Sequence, residues 1–527
     1  MDAAAAPAAG FPWLTCLTLL PLVGAILIAG LPSPQPALAR RLGLACQAAA
    51  LLLTLWIVSL FQAGSGDLQF VERHDWIPTV GVQYHLGLDG LSLVMVLLTA
   101  LIPPFALLAS GRVTENPRAF VALLLFLQAG LFGAFTALNF IHWFLFYELS
   151  LIPAYFLVKL WGGPRRVAAA NQFFVYTMVG SVALLLSMLA VYLVTGSFDL
   201  IELAARARTQ PLEALFNVRI EGWYSLSPRT LALVLFAGAF LGFAVKVPVW
   251  PFHTWLPDTY SEAPTGVSMI LTGVMSKLGL YGMLRILLPL FPEPTRWVLD
   301  GLLLLAVATI VLAALAALAQ RDLKRMVAYS SINHLGYCLL GVFAAAQLTG
   351  GETRWTQEKA AALNGVILQM FNHGLTAAAL FFFVGLLEER TGRRGLGDFG
   401  GLRRIAPVFC GLMGITLFAS LGLPGLNGFV GEFLIFKGAF PLSKWAALLS
   451  LPGLLVTAVF LLNILQRVWS GPPGPQAAAG SFPDLTLRER LIAAPAVALM
   501  LFLGLWPQAL LQFINPTVRH LVGQLAP

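Results

Sequence analysis

Six ionisable side chains lie inside long apolar stretches of this sequence, where a charge is costly. They are two glutamates, two lysines and two histidines, namely Glu148, Lys246, Lys277, His334, His373 and Glu432. A charged side chain at the centre of a bilayer costs roughly 2.5–3.5 kcal/mol on insertion scales, so such residues are usually paired, hydrated or used in transport. The pattern therefore predicts a path for protons or ions through a membrane.

These residue types suit the transfer of protons from one group to the next. A lysine that has lost its water gives up its proton more readily, and a nearby carboxylate restores its hold on that proton. A contact between Glu148 and Lys246 that forms and breaks would therefore switch the lysine between holding and releasing a proton. Histidine exchanges protons near neutral pH, which suits His334 and His373 to a relay.

Each of these residues also has a plainer interpretation. A buried pair of Glu148 and Lys246 would staple two helices together, and Lys277 could be structural. The two histidines could be core residues bonded to neighbouring serine or asparagine. Glu432 follows a helix break and could cap free N–H groups there. Arg285 lies nearer the end of an apolar stretch and is expected to extend its guanidinium to the membrane surface.

The composition indicates an integral membrane protein. Of the 527 residues, 58% are hydrophobic and only 11% are charged, with a mean hydropathy of +0.83, whereas soluble domains carry about 25% charged residues. The net charge of +8 belongs to loops that set orientation, and no basic cluster with interleaved aromatics indicates a nucleic-acid partner. The four cysteines form no C-x-x-C pair, so we expect no disulfide framework, zinc site or iron–sulfur ligand set.

Apolar runs of about 20 residues, each long enough to cross the hydrocarbon core as a helix, predict an all-α polytopic membrane protein. The 14 predicted transmembrane helices are 13–31, 42–62, 91–110, 119–138, 140–159, 169–195, 228–250, 264–290, 297–319, 323–346, 361–387, 406–439, 445–468 and 488–514. The arginine-rich loops would lie inside and both termini outside, because inside loops carry the excess of basic residues. Residues 1–527 are thus interpreted as a single membrane domain.

Proline and glycine interrupt two of the predicted spans, at 246–251 and at 421–428. Each proline removes a backbone N–H and frees the carbonyl four residues earlier. Broken helices in corresponding positions are typical of transporters built from inverted repeats. We therefore predict two inverted five-helix repeats with broken helices. They cover about 119–290 and about 297–468, and the flanking helices lie within 13–110 and 488–514.

The sequence contains no motif for an energy source. The letters G-x-G-x-x-G occur at 395–400, but they lie between membrane spans with no preceding strand, so a dinucleotide site is not expected there. No P-loop, H-E-x-x-H or G-x-S-x-G pattern is present. A pump of this kind must be driven by a partner subunit or by an ion gradient.

Five segments around these residues carry a resemblance to a known family. They read FYELSLIPAYFLVKLWGG (146–163), FAVKVPVWPFHTWLPDTYSEAP (243–264), VSMILTGVMSKLGLYGMLR (267–285), RDLKRMVAYSSINHLGY (321–337) and LGLPGLNGFVGEF (421–433). In them the chain resembles the antiporter-like subunits of respiratory complex I, above all the type called subunit M or chain 4. The resemblance implies that Glu148, Lys246, Lys277 and Glu432 belong to the proton path, with His334 and His373 on its polar axis.

The resemblance implies a proton-translocating subunit of an NAD(P)H-quinone oxidoreductase, with no redox centre on this chain. NAD(P)H or ferredoxin, FMN or iron–sulfur clusters, and quinone would bind to partner subunits. The partners would be other antiporter-like and small hydrophobic membrane subunits, in the lipid bilayer of a bacterial cytoplasmic membrane, or of a thylakoid if the source is cyanobacterial. The alternatives are a same-fold subunit of a sodium/proton antiporter or a membrane-bound hydrogenase, and a quinone-binding redox enzyme.

Overall fold

Helices dominate the structure, as the apolar runs predicted. The computed structural model describes residues 10–32, 35–209, 227–348 and 353–525. Among these residues, eleven helices are long and apolar enough to cross a membrane, or twelve if one bent pair is counted as a span. The prediction of a helical, polytopic membrane protein is therefore confirmed.

The first part of the bundle contains a β-hairpin that the sequence analysis did not predict. The elements are α1 (Trp13–Ala29), α2 (Pro36–Leu60), β1 (Gln69–Ile77), β2 (Val82–Leu88), α3 (Gly90–Ala109) and α4 (Pro117–Thr136). β1 and β2 are antiparallel, with Arg73 opposite His85. Glu72 of β1 accepts a hydrogen bond of 2.7 Å from Leu14 N at the start of α1. The hairpin therefore caps one end of the bundle, called the outer end below; the arginine-rich loops lie at the opposite, inner end.

The first broken span is interrupted at its proline-containing segment. The elements of this part are α5 (Phe140–Leu149), α6 (Leu151–Trp161), α7 (Arg166–Thr195), α8 (Leu200–Thr209), α9 (Pro228–Lys246), α10 (Trp255–Glu262), α11 (Thr265–Ile270), α12 (Lys277–Gly282) and α13 (Leu288–Leu290). α9 ends at Lys246, directly before the proline-containing segment, and α10 resumes at Trp255. The apolar helix α9 lies within the predicted limits of 228–250, and the short helix α10 follows the break.

The second broken span consists of two half-helices. The elements here are α14 (Pro292–Trp297), α15 (Leu299–Ala319), α16 (Leu323–Ala345), α17 (Thr353–Thr391), α18 (Pro407–Ser420), α19 (Asn427–Leu442) and α20 (Lys444–Leu465). Between α18 and α19 the backbone turns at Gly422 (φ +77°) and Gly425 (φ +93°), in the left-handed region that glycine adopts without strain. The predicted span 406–439 is therefore interrupted at its centre, as its Pro/Gly content indicated.

The final predicted span, 488–514, is wrong as a single helix. The last elements are α21 (Pro475–Ala478), α22 (Leu487–Leu505) and α23 (Gln508–Leu525), and α22 and α23 meet at an angle of 62°. Pro507 lies at this bend, where it cannot donate the N–H that would continue α22. α23 packs at the outer end, where Thr517 Oγ1 accepts a hydrogen bond of 2.8 Å from Gly90 N at the start of α3.

Ion pairs at the inner end hold the short half-helix α10 in place. Arg394, just after α17, lies 3.1 Å from the buried carboxylate of Glu262. Arg325 of α16 pairs with Asp258 of α10. Because these contacts join α10 to α16 and to the segment after α17, the first break is fixed relative to the second half of the chain.

Candidate functional site

Lys277 is fully buried and is held by a carbonyl that the helix itself leaves free. It follows the π-helical turn Leu271–Met275, where Ser276 N donates to Leu271 O at 3.0 Å. This i−5 bond leaves the carbonyl of Thr272 without its usual backbone donor. Lys277 Nζ donates to that carbonyl at 2.5 Å and to Ser276 Oγ at 3.0 Å. The π-helical turn thus supplies hydrogen-bond acceptors for the ammonium group.

A run of ionisable side chains extends from Lys277 across three further helices. Lys277 Nζ lies 2.9 Å from His373 Nδ1 of α17. The rings of His373 and His334 of α16 have centroids 5.4 Å apart. His334 Nδ1 lies 2.9 Å from Glu432 Oε1 of α19, and its Nε2 lies 3.1 Å from Ser420 Oγ. The structure therefore brings together four of the six predicted residues, which we call the axis: Lys277, His373, His334 and Glu432.

The second helix break positions the carboxylate end of the axis. Gly422 faces Glu432, and a Cβ built at Gly422 would lie 3.0 Å from Glu432 Oε2, so a larger residue would crowd the carboxylate. Asn372 of α17 and Asn427 at the start of α19 exchange side-chain to carbonyl hydrogen bonds of 2.7 and 3.2 Å. This amide pair fixes the broken segment against the helix that carries His373.

Glu148 and Lys246 lie close to a shared tyrosine but do not touch. Lys246 Nζ lies 4.4 Å from the centre of the Tyr147 ring, a cation–π distance. In the described part of the chain this ammonium is buried with no hydrogen-bond partner. Glu148 is half-buried and accepts a 2.5 Å hydrogen bond from Ser181 Oγ of α7. The two charges are thus separated in this structure, with Tyr147 beside the lysine.

The contacts of the axis decide between some of the plainer interpretations. In the described residues, the hydrogen-bond partners of Glu432 are the side chains of His334 and Gln369, so it does not cap the helix break. His334 and His373 contact ionisable groups, which a histidine satisfied only by serine or asparagine would not. The functional roles of all six residues stay predictions.

The expectation for Arg285 is wrong. Arg285 is buried, 7% exposed, and its Nη2 lies 2.6 Å from Asp89 Oδ1 at the start of α3. The sequence analysis missed this pair because 196 residues separate its members. A signal was available, since Asp-Gly at 89–90 directly precedes an apolar run and marks a helix start.

Residues 137–459 match the family described as "NADH:quinone oxidoreductase/Mrp antiporter, TM". This stretch contains both helix breaks and all six candidate residues. The chain belongs to this family.

Two relatives extend the likeness to almost the whole chain. The NADH-quinone oxidoreductase subunit M of Rhodobacter capsulatus is 35% identical over 97% of this chain and 96% of its own length. An NAD(P)H-quinone oxidoreductase chain 4 of a Synechococcus species is 37% identical over 98% of this chain and 94% of its own. Both types named by the sequence resemblance are therefore found among the relatives.

A solved structure shares the arrangement of the helices. A chain of respiratory complex I from Thermus thermophilus with bound NADH superimposes with a TM-score of 0.82 at 29% identity. The match covers 98% of this chain and 100% of that one. The fold is therefore that of a membrane subunit of complex I.

Proposed function

We propose that this chain is the proton-translocating membrane subunit of an NAD(P)H-quinone oxidoreductase of the complex I type. Two relatives that match it over nearly their full length are named as parts of an NADH-quinone and an NAD(P)H-quinone oxidoreductase. Electron transfer to quinone would take place in partner subunits, which would hold the FMN or iron–sulfur clusters and bind NAD(P)H or ferredoxin. Its partners would be the neighbouring antiporter-like and small hydrophobic subunits.

The observation that carries the proposal is the axis itself. Two close contacts, from Lys277 to His373 and from His334 to Glu432, run through four helices that belong to the interior of the bundle. Each of these side chains can take up and release a proton. A purely structural polar cluster has no need for a lysine, two histidines and a carboxylate in the interior of the bundle, because buried charges seldom stabilise a fold.

Two gaps would gate the transfer of protons. Among the described residues, no hydrogen bond joins Lys246 to Lys277, and the two histidine rings are 5.4 Å apart between centroids. A proton would cross each gap only when a water molecule enters it or when a side chain changes conformation and bridges it. We place the entry side at Glu148 and Lys246 and the loading site that faces the outside at Glu432.

Fourteen spans in two inverted repeats remain our proposal for the architecture. The 17-residue α1 and the broken pair α18–α19, added to the twelve spans above, support that number. The repeats would cover about 119–290 and 297–468, with one broken span in each. The chain would lie in a bacterial cytoplasmic membrane, or in a thylakoid for a cyanobacterial source.

The same-fold sodium/proton antiporter is the second candidate, because the description of the matching family includes Mrp antiporters. The two relatives described above are named for quinone reduction, which favours the oxidoreductase. Proton movement tied to electron transfer separates the two functions.

Glu148→Gln or Lys246→Ala is expected to reduce proton pumping by about tenfold or more, the effect of raising the barrier of one transfer step by about 1.4 kcal/mol. Each change removes one of two ionisable groups beside the first helix break. The measurement is proton uptake by vesicles that contain the whole reconstituted complex, at equal content of this subunit.

A matched control is Lys159→Ala. Lys159 bonds to the hydroxyl of Tyr155 in α6, away from the break, and its loss should leave pumping intact. If the Glu148 and Lys246 variants both pump protons as fast as this control, the pair has only a structural role, in holding helices together.

A further inference from the structure

A buried ion pair lies at the outer end of the same helical segment that carries Lys277. Arg285 donates to Asp89 at 2.6 Å and to Ser92 Oγ at 3.1 Å. Both charged residues are at most 7% exposed, and within the described residues Arg285 Nε has no hydrogen-bond partner. Such a pair is weak evidence for stability, because the loss of hydration can exceed the attraction between the charges.

Hydroxyl groups connect this ion pair toward the axis. Tyr281 OH lies 2.9 Å from Ser92 Oγ, and Ser92 in turn contacts Arg285. Tyr281 and Lys277 are four residues apart in α12, so they lie one helical turn apart on one face. Their Cβ atoms are therefore about 5–6 Å apart, while the Lys277 ammonium itself is directed to Thr272 O and His373. The Tyr281 hydroxyl also donates to the carbonyl of Phe135 at the end of α4, at 3.1 Å.

A cavity links the ion pair to the surface at the outer end. It has a volume of about 260 Å³, and Asp89 and Arg285 line it. Asp67, Arg208 and His520 also line it, and all three are exposed. A single water needs at least about 10–15 Å³, so the cavity can hold a short chain of waters from the ion pair to the surface.

We infer that these groups form an outward branch of the proton path, one that leaves the axis at Lys277. When its contact with His373 breaks, the flexible Lys277 ammonium swings toward Tyr281. It gives one proton, through water, to the Tyr281 oxygen, while Tyr281 passes its hydroxyl proton to Ser92. Ser92 Oγ and Asp89 Oδ1 are both bonded to Arg285 Nη2. Ser92 passes its own proton through water to the Asp89 carboxylate, and water in the cavity removes it. Lys277 ends neutral, and each hydroxyl ends as it began.

This inference rests on the proposed function, since it needs Lys277 to carry protons. The rival is that Asp89 and Arg285 are only a staple between α3 and the Lys277 segment. Ser92→Ala and Tyr281→Phe separate the two, because each removes one hydroxyl and leaves the ion pair in place. The matched control is Thr99→Val in α3, where a buried hydroxyl bonds, among the described residues, to the carbonyl of Met95 in its own helix.

The first measurement is the number of protons delivered per electron pair, in vesicles that hold the whole complex. Ser92→Ala and Tyr281→Phe should each lower this number, by less than the loss expected for Lys277→Ala, with quinone reduction continuing. Thr99→Val should leave it unchanged. If the ion pair is only structural, all three variants should deliver the same number of protons as the parent.

The second measurement blocks the cavity. Gln524 lines it and Gln512, on the same helix α23, is exposed and does not. A bulky thiol label on Gln524→Cys, added to the purified complex before reconstitution, should lower the proton count and be reversed by a reductant. The labelled parent and labelled Gln512→Cys should be unaffected.

The outcomes for the branch and for the proposed function are distinguishable. If Lys277→Ala stops pumping while the hydroxyl variants and the Gln524 label leave the proton count unchanged, the branch is wrong and the axis stands. If Lys277→Ala itself leaves pumping unchanged, the proposed function fails, and the branch fails with it.

Discussion

Glu432→Ala is expected to abolish most proton pumping, whereas Glu432→Lys should retain part of it. Alanine offers no group that can hold a proton, so the axis would end at His334. Lysine restores an ionisable group at the second break, beside the ring of His334. The expected loss for alanine is about tenfold or more, equivalent to about 1.4 kcal/mol on one transfer barrier, measured as proton uptake by vesicles that contain the whole complex.

The matched control for this series is Glu358→Ala. Glu358 is a carboxylate of α17 that pairs with Lys437 at 2.7 Å, away from the axis. Its loss should leave pumping near the parent rate. Equal pumping by the alanine and lysine variants of Glu432 would mean that the exit lies elsewhere.

Lys277→Met is expected to have an effect as large as that of Glu432→Ala. Methionine keeps most of the length of the side chain but cannot hold a proton, so the link from the first half of the chain to His373 would be lost. Lys277→Ala should behave alike, with an added risk of poor folding because it leaves a cavity at a fully buried site. Pumping and quinone reduction would both be measured, since a path that is blocked should slow the two together.

Lys437→Met provides the comparison for this lysine. Lys437 is exposed and bonds to Glu358, so its ammonium does not touch the axis. Normal pumping by Lys277→Met, at equal subunit content, would reduce Lys277 to a structural role.

The helix breaks and the buried charges could be read from the sequence, because both follow from local rules. Prolines remove backbone donors wherever they stand, and a lysine inside an apolar run is conspicuous without any partner. The contacts between these charges could not be read in this way. Lys277 and His373 are 96 residues apart, and His334 and Glu432 are 98 apart, so their meeting depends on how α16, α17 and α19 pack.

The β-hairpin and the bend before α23 escaped the sequence analysis for different physical reasons. β1 reads QFVERHDWI, in which charged residues hide the alternation that marks a strand. Two contacts with the rest of the bundle support the hairpin: Glu72 accepts a hydrogen bond from Leu14 N at the start of α1, and His85 lies 2.8 Å from Asp199. The bend at Pro507 lies inside a continuous apolar stretch, where hydropathy alone predicts one straight span.

The buried pair of Asp89 and Arg285 shows how position in the sequence can mislead. Arg285 lies near the end of an apolar run, a place from which long side chains usually reach the membrane surface. Here the start of α3, the hairpin and α23 cover that end of the bundle. The guanidinium is therefore enclosed, and it binds Asp89 instead of water.

The central claim is that Glu432 takes up and releases a proton as the complex turns over. Infrared difference spectra of the reconstituted complex, recorded before and during quinone reduction, test it most directly. The account predicts a carboxylic acid C=O band that changes with turnover, disappears in Glu432→Gln and persists in Glu358→Gln. A difference spectrum that is the same in Glu432→Gln as in the parent would contradict the account.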